Sequence, residues 1–339
     1  MDLPVGRVRF GLVLPHFGDL ATWTRLFGFA GEIEALGYDS VWVRDHLSYE
    51  PLALDNPGRR FVDPFTTLSG VAALTSRLRL GMSVLVPFRH PVVVAQLLGG
   101  LSFLSQGRLE LGVAPGTPRK PWDVLGAPFE RRAAWTRETV EVLRLLGSAR
   151  GPVSYEGESA SFQDVFIDPA PPADLFVWYG GGSRQAIRAA VEYCDGLLPS
   201  RCPSVRLDGI LAEYQERAGQ AQRPMHVGVL PLTVLAGSRA EALSRVSVPS
   251  LIDALQRRWK LDLDGVGDLD GALIAGSSTD CIEQLSRLVD RGIELMLVDL
   301  RLMGDDFEAA ARAFATEVIP AFAQARPTTP FDASRAASQ

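Results

Sequence analysis

Lysine is almost missing from this 339-residue chain: only Lys120 and Lys260 occur, and arginine carries the rest of the basic complement. The 34 basic and 40 acidic residues leave a net charge of −6 and form no blocks. No positive field is available to gather a polyanion, so nucleic acid is not an expected partner. Cysteine is scarce too. Cys194, Cys202 and Cys281 form no CxxC pair, and an odd count does not build a secreted disulfide framework, which fits a reducing cytoplasm. No stretch of about 18 uncharged apolar residues occurs, and MDLPVGRVRFG has no basic segment leading into a long apolar run. A cytoplasmic protein that neither spans a membrane nor is exported is expected. The four histidines make no HExxH and no short-spaced cluster, so no metal site is expected. GxSxG and GKS/T are absent, and neither LGVAPG (Leu111 to Gly116) nor the glycine run at 180–182 completes GxGxxG.

Apolar residues are plentiful, at 47% of the chain with a mean hydropathy of +0.09, enough for a sizeable core. They fall into short β-rich runs alternating with longer helical patterns. Strands are expected at Val8–Leu14, Asp39–Val43, Leu78–Val84, Arg108–Val113, Leu175–Tyr179, Gly196–Pro199, His226–Leu235 and Leu295–Leu300. Helical spacing lies between them, as at Trp23–Leu36, Phe65–Ser76, Val92–Leu104 and Thr279–Arg291. Eight strands each followed by a helix is the count of a (β/α)8 TIM barrel, which commonly runs to ~250 residues and more with insertions. We therefore expect one α/β barrel domain over residues 1–327 with insertions at about 151–168 and 240–275. The first insertion reads as a hairpin over Val153–Ile167, and residues 328–339 read as a frayed tail.

In such a barrel the strand C-termini face the active site. The stretch SVWVRDHL therefore draws attention, because Asp45 and His46 directly follow the second strand. An imidazole held by a nearby acid exchanges protons near neutral pH. In the alternative, Asp45 caps a helix or pairs with Arg44 while His46 merely packs. His16 in LPHFGD, after the first strand, would meet substrate at the same rim. His90, before a proline at a helix start, reads as a terminus signal, and His226, at the start of a strand, as structural. Gly180, Gly181, Gly182 and Ser183 lie between an apolar strand and a helix bearing Arg184 and Arg188. Glycines permit close backbone approach and a helix N-terminus offers N–H donors, so the run reads as a phosphate site or as a plain tight turn. Trp42, Trp178 and Tyr179 read as a pocket wall or as core.

Taken in order, SVWVRDHL, RLRLGMSVLVPFRHPVVVAQ, LSFLSQGRLELGV, VWYGGGSRQAIRAA and GSSTDCIEQLSRLVDRGIELMLVDL resemble the bacterial luciferase-like flavin-dependent oxidoreductases over almost the whole chain. The resemblance implies a (β/α)8 barrel that holds either FMN or the deazaflavin coenzyme F420 near its C-terminal mouth. It implies that His46, oriented by Asp45, sits beside the reactive ring carbon, and that a non-proline cis peptide at Ser83–Val84 faces the ring. It places Gly112 in the strand-four loop and gives Gly181, Gly182 and Ser183, with Gly180 and Arg184, the phosphate of the cofactor side chain. From their own positions after strand one and in strand five, His16 and Trp178 are the residues expected to face substrate. That loop departs from the common GxGxG, running Gly112, Val113, Ala114, Pro115, Gly116. Thr117 stands where sugar-phosphate dehydrogenases of the deazaflavin branch carry glutamate, which weakens a sugar-phosphate reading. Arg119 and Lys120 would meet an acidic cofactor tail or form a solvated pair. The implied activity is F420-dependent hydride transfer to or from a small organic substrate. The alternatives are an FMN-dependent monooxygenase fed by a partner reductase and a non-catalytic flavin-binding protein; a homodimer is an expected assembly.

Overall fold

A computed structural model describes residues 7–47 and 58–326. The expected tail at 328–339 lies outside the described residues. The described residues divide into two compact units, one within 12–198 and the other made of 199–326 with 7–11.

β1 (Arg9–Val13) begins in the second unit and ends in the first, where β2 (Ser40–Val43), β3 (Arg79–Leu85) and β4 (Leu109–Val113) alternate with α1 (Ala30–Ala35), α2 (Pro64–Leu74) and α3 (Pro91–Ser105). After β4 come α4 (Lys120–Val124), α5 (Arg132–Ser148), an antiparallel hairpin of β5 (Val153–Glu156) and β6 (Ser161–Val165), then β7 (Phe176–Gly180), α6 (Arg184–Tyr193) and β8 (Gly196–Leu198). The strands lie in the order β8–β7–β4–β3–β2–β1, and the pairs from β2 to β8 are parallel. A β-bulge between Met82 and Leu85 breaks the register of β3 against β4. β2 and β4 are buried along their whole length, as strands covered on both faces must be.

Two polar anchors hold this unit's turns. Glu138 of α5 accepts hydrogen bonds from the Glu158 and Ser159 amides at 2.9 and 2.8 Å, which fixes the expected hairpin to the helix. Glu34 of α1 accepts from the amides of Ser76, Arg77 and Leu78, where the chain enters β3. Burial pushes the Glu34 carboxyl up, but those amides and the Ser76 hydroxyl outweigh it and bring it down from 4.5 to about 2. A carboxylate with a depressed folded pKa stabilises the fold above its unfolded value and loses that contribution as pH falls. Glu34→Gln is therefore expected to cost about 1–2 kcal/mol at neutral pH, after allowance for its partial exposure. The difference from wild type should shrink as pH falls from about 4.5 to about 2. Thermal melts of both proteins across that window check it.

In the second unit α7 (Ser204–Gln220) is followed by β9 (Gly228–Val229), β10 (Leu232–Leu235), α8 (Arg239–Ser244), α9 (Val248–Trp259), β11 (Leu273–Gly276), α10 (Ser278–Asp290), β12 (Leu295–Val298) and α11 (Phe307–Ala313). The single strand expected at His226–Leu235 is interrupted at Leu230 and Pro231. Proline has no N–H for the ladder, so pairing changes partner there. β9 runs parallel to β12, and β10 runs parallel to β11. β11 lies at the end of the segment read as an insertion. Its four residues are all buried, so no polar alternation marked them as a strand. No described helix is long and apolar enough to cross a membrane.

Candidate active site

The end of β2 is tied down by side chains from two directions. The backbone N–H of Arg44 donates to Nε2 of His16 at 2.9 Å, and Nδ1 of His16 lies 2.8 Å from the Val62 carbonyl oxygen. A carbonyl only accepts, so Nδ1 carries the proton and His16 is the neutral tautomer that bridges β1, β2 and the segment before α2. The Arg44 guanidinium stacks over the Phe17 ring, 3.6 Å from its centroid.

Asp45 does not pair with Arg44. One carboxylate oxygen accepts from the Val86 amide at 3.1 Å, and Arg89 donates to both oxygens at 3.0 and 2.9 Å. Arg89 also bonds Asp63, the N-cap of α2, at 3.0 Å. The Asp45 side chain is fully enclosed while that of Arg89 keeps 22% exposure. Burial pushes the Asp45 carboxyl up, opposed by the Arg89 charge and hydrogen bonds and by the Val86 amide; the two carboxylates in turn hold Arg89 charged. Asp45 thus ties the end of β2 to the loop after β3. The carboxylate is spent on Arg89 and Val86, so it fixes the backbone entering His46 without bonding the imidazole itself. His46 is half-buried, and its ring stands edge-on to Phe61 at 5.2 Å.

The ends of β3, β4 and β7 meet around Val84. The Ser83–Val84 peptide is cis, at the bond the resemblance pointed to. A Cβ at Gly180 would lie 2.6 Å from Val84 Cγ1, and one at Gly112 would lie 2.4 Å from the Met82 carbonyl oxygen and 3.0 Å from Val84 Cγ1. Only glycine at both positions lets Val84 seat between the strand ends. Ser83 Oγ is buried without a hydrogen-bond partner. Such an orphaned hydroxyl fits a bound group with its own donors or acceptors. Beyond β7, Gly181 takes a φ of +136°, and the Ser183 hydroxyl caps α6 by accepting from the Ala186 amide at 3.1 Å. Gly182 is buried, whereas Ser183 and Arg184 are exposed. The turn leads straight into the N-terminus of the ten-residue α6, where first-turn amides other than that of Ala186 are the kind of donors a phosphate takes.

Neither residue expected to face substrate is placed to do so. His16 and Trp178 are fully buried. The His16 nitrogens are both committed to backbone, and the Trp178 indole donates to Glu110 at 3.0 Å, which also takes Arg79 Nε at 2.9 Å. Both build the interior that supports the strand ends. His90 caps α3, accepting from the Val92 amide at 3.3 Å, and His226 lies 2.8 Å from Glu294, in keeping with their structural readings. Arg119 pairs with Glu130 at the surface, the solvated arrangement left open for it. Sequence reading missed Arg89 and Phe61. Arg89 stood in the FRHP stretch, where attention went to the helix-start signal at His90 and Pro91. Among the described residues no group of His, Cys, Asp or Glu is placed to hold a metal ion.

The family model for luciferase-like monooxygenases matches residues 8–295. An F420-dependent glucose-6-phosphate dehydrogenase of Amycolatopsis mediterranei is 26% identical over 330 residues, covering 87% of this chain and 93% of that one. Among solved structures, an F420-dependent secondary alcohol dehydrogenase in complex with an F420–acetone adduct superposes with a TM-score of 0.76 at 20% identity, over 93% of this chain and 99% of that one. The FMN complex of the oxygenating constituent of a type II Baeyer–Villiger monooxygenase from Pseudomonas putida gives 0.72 at 17% identity, over 93% and 98%. These likenesses show the fold to be the (β/α)8 barrel expected from the strand and helix alternation. With 8–295 matched by the family model and the barrel shared, the chain belongs to the luciferase-like monooxygenase family.

Proposed function

We propose that this oxidoreductase works with coenzyme F420 and exchanges a hydride with a small organic substrate. The observation that carries the proposal is the convergence of four strand ends within one unit: the anchored Asp45–His46 segment, the Ser83–Val84 bulge, Gly112 and Gly180. Bound F420 would supply the ring carbon that gives or takes the hydride. Ser83, Val84, Gly112 and Gly180 would seat the ring, and Gly181, Gly182 and Ser183, with Arg184, would receive the phosphate at the start of α6. His46, half-buried against Phe61, would hold or release the proton that accompanies hydride transfer. Asp45, through Arg89 and Val86, fixes the backbone from which the imidazole projects.

The relatives include F420 and FMN proteins, so the test is a choice between the two. The full chain is titrated with F420 and with FMN while absorbance is followed. Tighter binding of F420, by about tenfold or more, is the expected result. Tighter binding of FMN overturns it and favours a monooxygenase supplied with reduced flavin by a partner reductase. Binding of neither removes the cofactor assignment altogether.

A further inference from the structure

One phenyl ring touches two imidazoles beside the end of β2. The Phe61 ring centroid is 4.8 Å from that of His16 and 5.2 Å from that of His46, and both pairs meet at 64°. Edge-to-face pairs at such separations are a favoured aromatic arrangement, so each ring limits how its neighbour can turn. Residues 16, 46 and 61 come from three separate stretches of chain, all within the unit 12–198.

Phe61 is itself held on both sides along the backbone. The Gly18 amide donates to the Arg60 carbonyl oxygen at 2.8 Å and the Val62 amide to that of His16 at 2.9 Å, with Phe17 and Phe61 forming an antiparallel bridge between these bonds. Arg60 Nη1 adds a bond to the Ala21 carbonyl oxygen at 2.5 Å. His16 closes the frame. Its Nδ1–H meets the Val62 carbonyl oxygen and its Nε2 receives the Arg44 amide, so one locked ring spaces the backbone that carries Phe61 from the backbone that leads into His46. Asp45 fixes the main chain there but does not set χ1 or χ2 of His46, and a half-buried side chain has more than one staggered well open to it. A misplacement of about 1 Å costs on the order of 10²-fold in a positioned chemical step.

We propose that Phe61 is a positioning residue for the His46 imidazole and that His16 is the fixed spacer behind it. This role rests on the reading of His46 as the proton carrier, whereas the contact itself needs neither cofactor nor substrate.

Nuclear magnetic resonance of the histidine-labelled full chain, free of ligand, tests it, with His46→Ala identifying the His46 ring signals. In wild type these signals should stand away from the free-histidine position, displaced by the phenyl ring current, and show Overhauser contacts to Phe61. Phe61→Leu should return them towards that position. Phe61→Tyr keeps the ring and should leave them displaced. His90 and His226, tied to the Val92 amide and to Glu294, are the internal reference and should not move. Phe61→Met gives a second truncation should the leucine variant fail to fold. F420 affinity of the leucine variant should stay within about twofold of wild type. His46 signals that stay put in both truncations, or that move only together with those of His90 and His226, overturn the role. A loss of F420 affinity of about tenfold with the His46 signals unmoved also overturns it, because the ring would then be a wall of the cofactor seat. The underlying reading fails separately: wild-type turnover in His46→Ala removes the proton carrier and leaves the wild-type signature intact.

Discussion

Replacing His46 by alanine is expected to lower turnover by about 10²-fold or more while cofactor affinity stays nearly unchanged. The imidazole is half-buried and edge-on to Phe61, so its removal opens little of the interior. Its backbone is held from the preceding residue, through the Asp45 bonds to Val86 and Arg89. The strand end should therefore keep its position when the ring is deleted. Loss of rate then reports the missing proton carrier rather than a shifted scaffold. Steady-state rates and a cofactor titration on the same preparation separate the two. Wild-type turnover in the variant would take His46 out of the chemistry.

Asp45→Ala should act on stability instead, with a loss of roughly 3–5 kcal/mol, because it strands a largely buried guanidinium and leaves the Val86 amide without its acceptor. Arg89 retains Asp63, whose side chain is 46% exposed, so the effect belongs at the lower end of that range. Asp45→Asn keeps an acceptor for the amide and removes only the charge. It should fall between alanine and wild type. Denaturant unfolding of the set gives the energies, and an alanine variant within about 1 kcal/mol of wild type would show that the pair contributes little. A cycle that adds Arg89→Ala isolates the coupling between the two side chains.

Much of the scaffold was legible because parallel strands alternate with helices at a regular interval, and the hairpin at Val153–Ile167 carried its own polar alternation. The position of Asp45 and His46 after a buried strand was equally plain. Other features depend on side-chain direction, which spacing along the chain does not reveal. His16 and Trp178 lie near strand ends yet turn inward to Val62, Arg44 and Glu110. The partner of Asp45 is 44 positions away at Arg89, a distance no local pattern spans. β11 stayed hidden for a different reason: a fully buried strand of four residues has no periodicity to detect. Ser83–Val84 was reached through family likeness alone, since nothing in the residues GMSVLVP specifies the isomer.

The crowding around Val84 carries a consequence for descent. At Gly180 the obstacle to a methyl group is the tip of a side chain, whereas at Gly112 it is main-chain oxygen. A lineage that acquires alanine at 180 can survive by trimming residue 84 in step, so those two sites should drift as a linked pair. Position 112 has no such escape, and its history should be far more static than that of its neighbours.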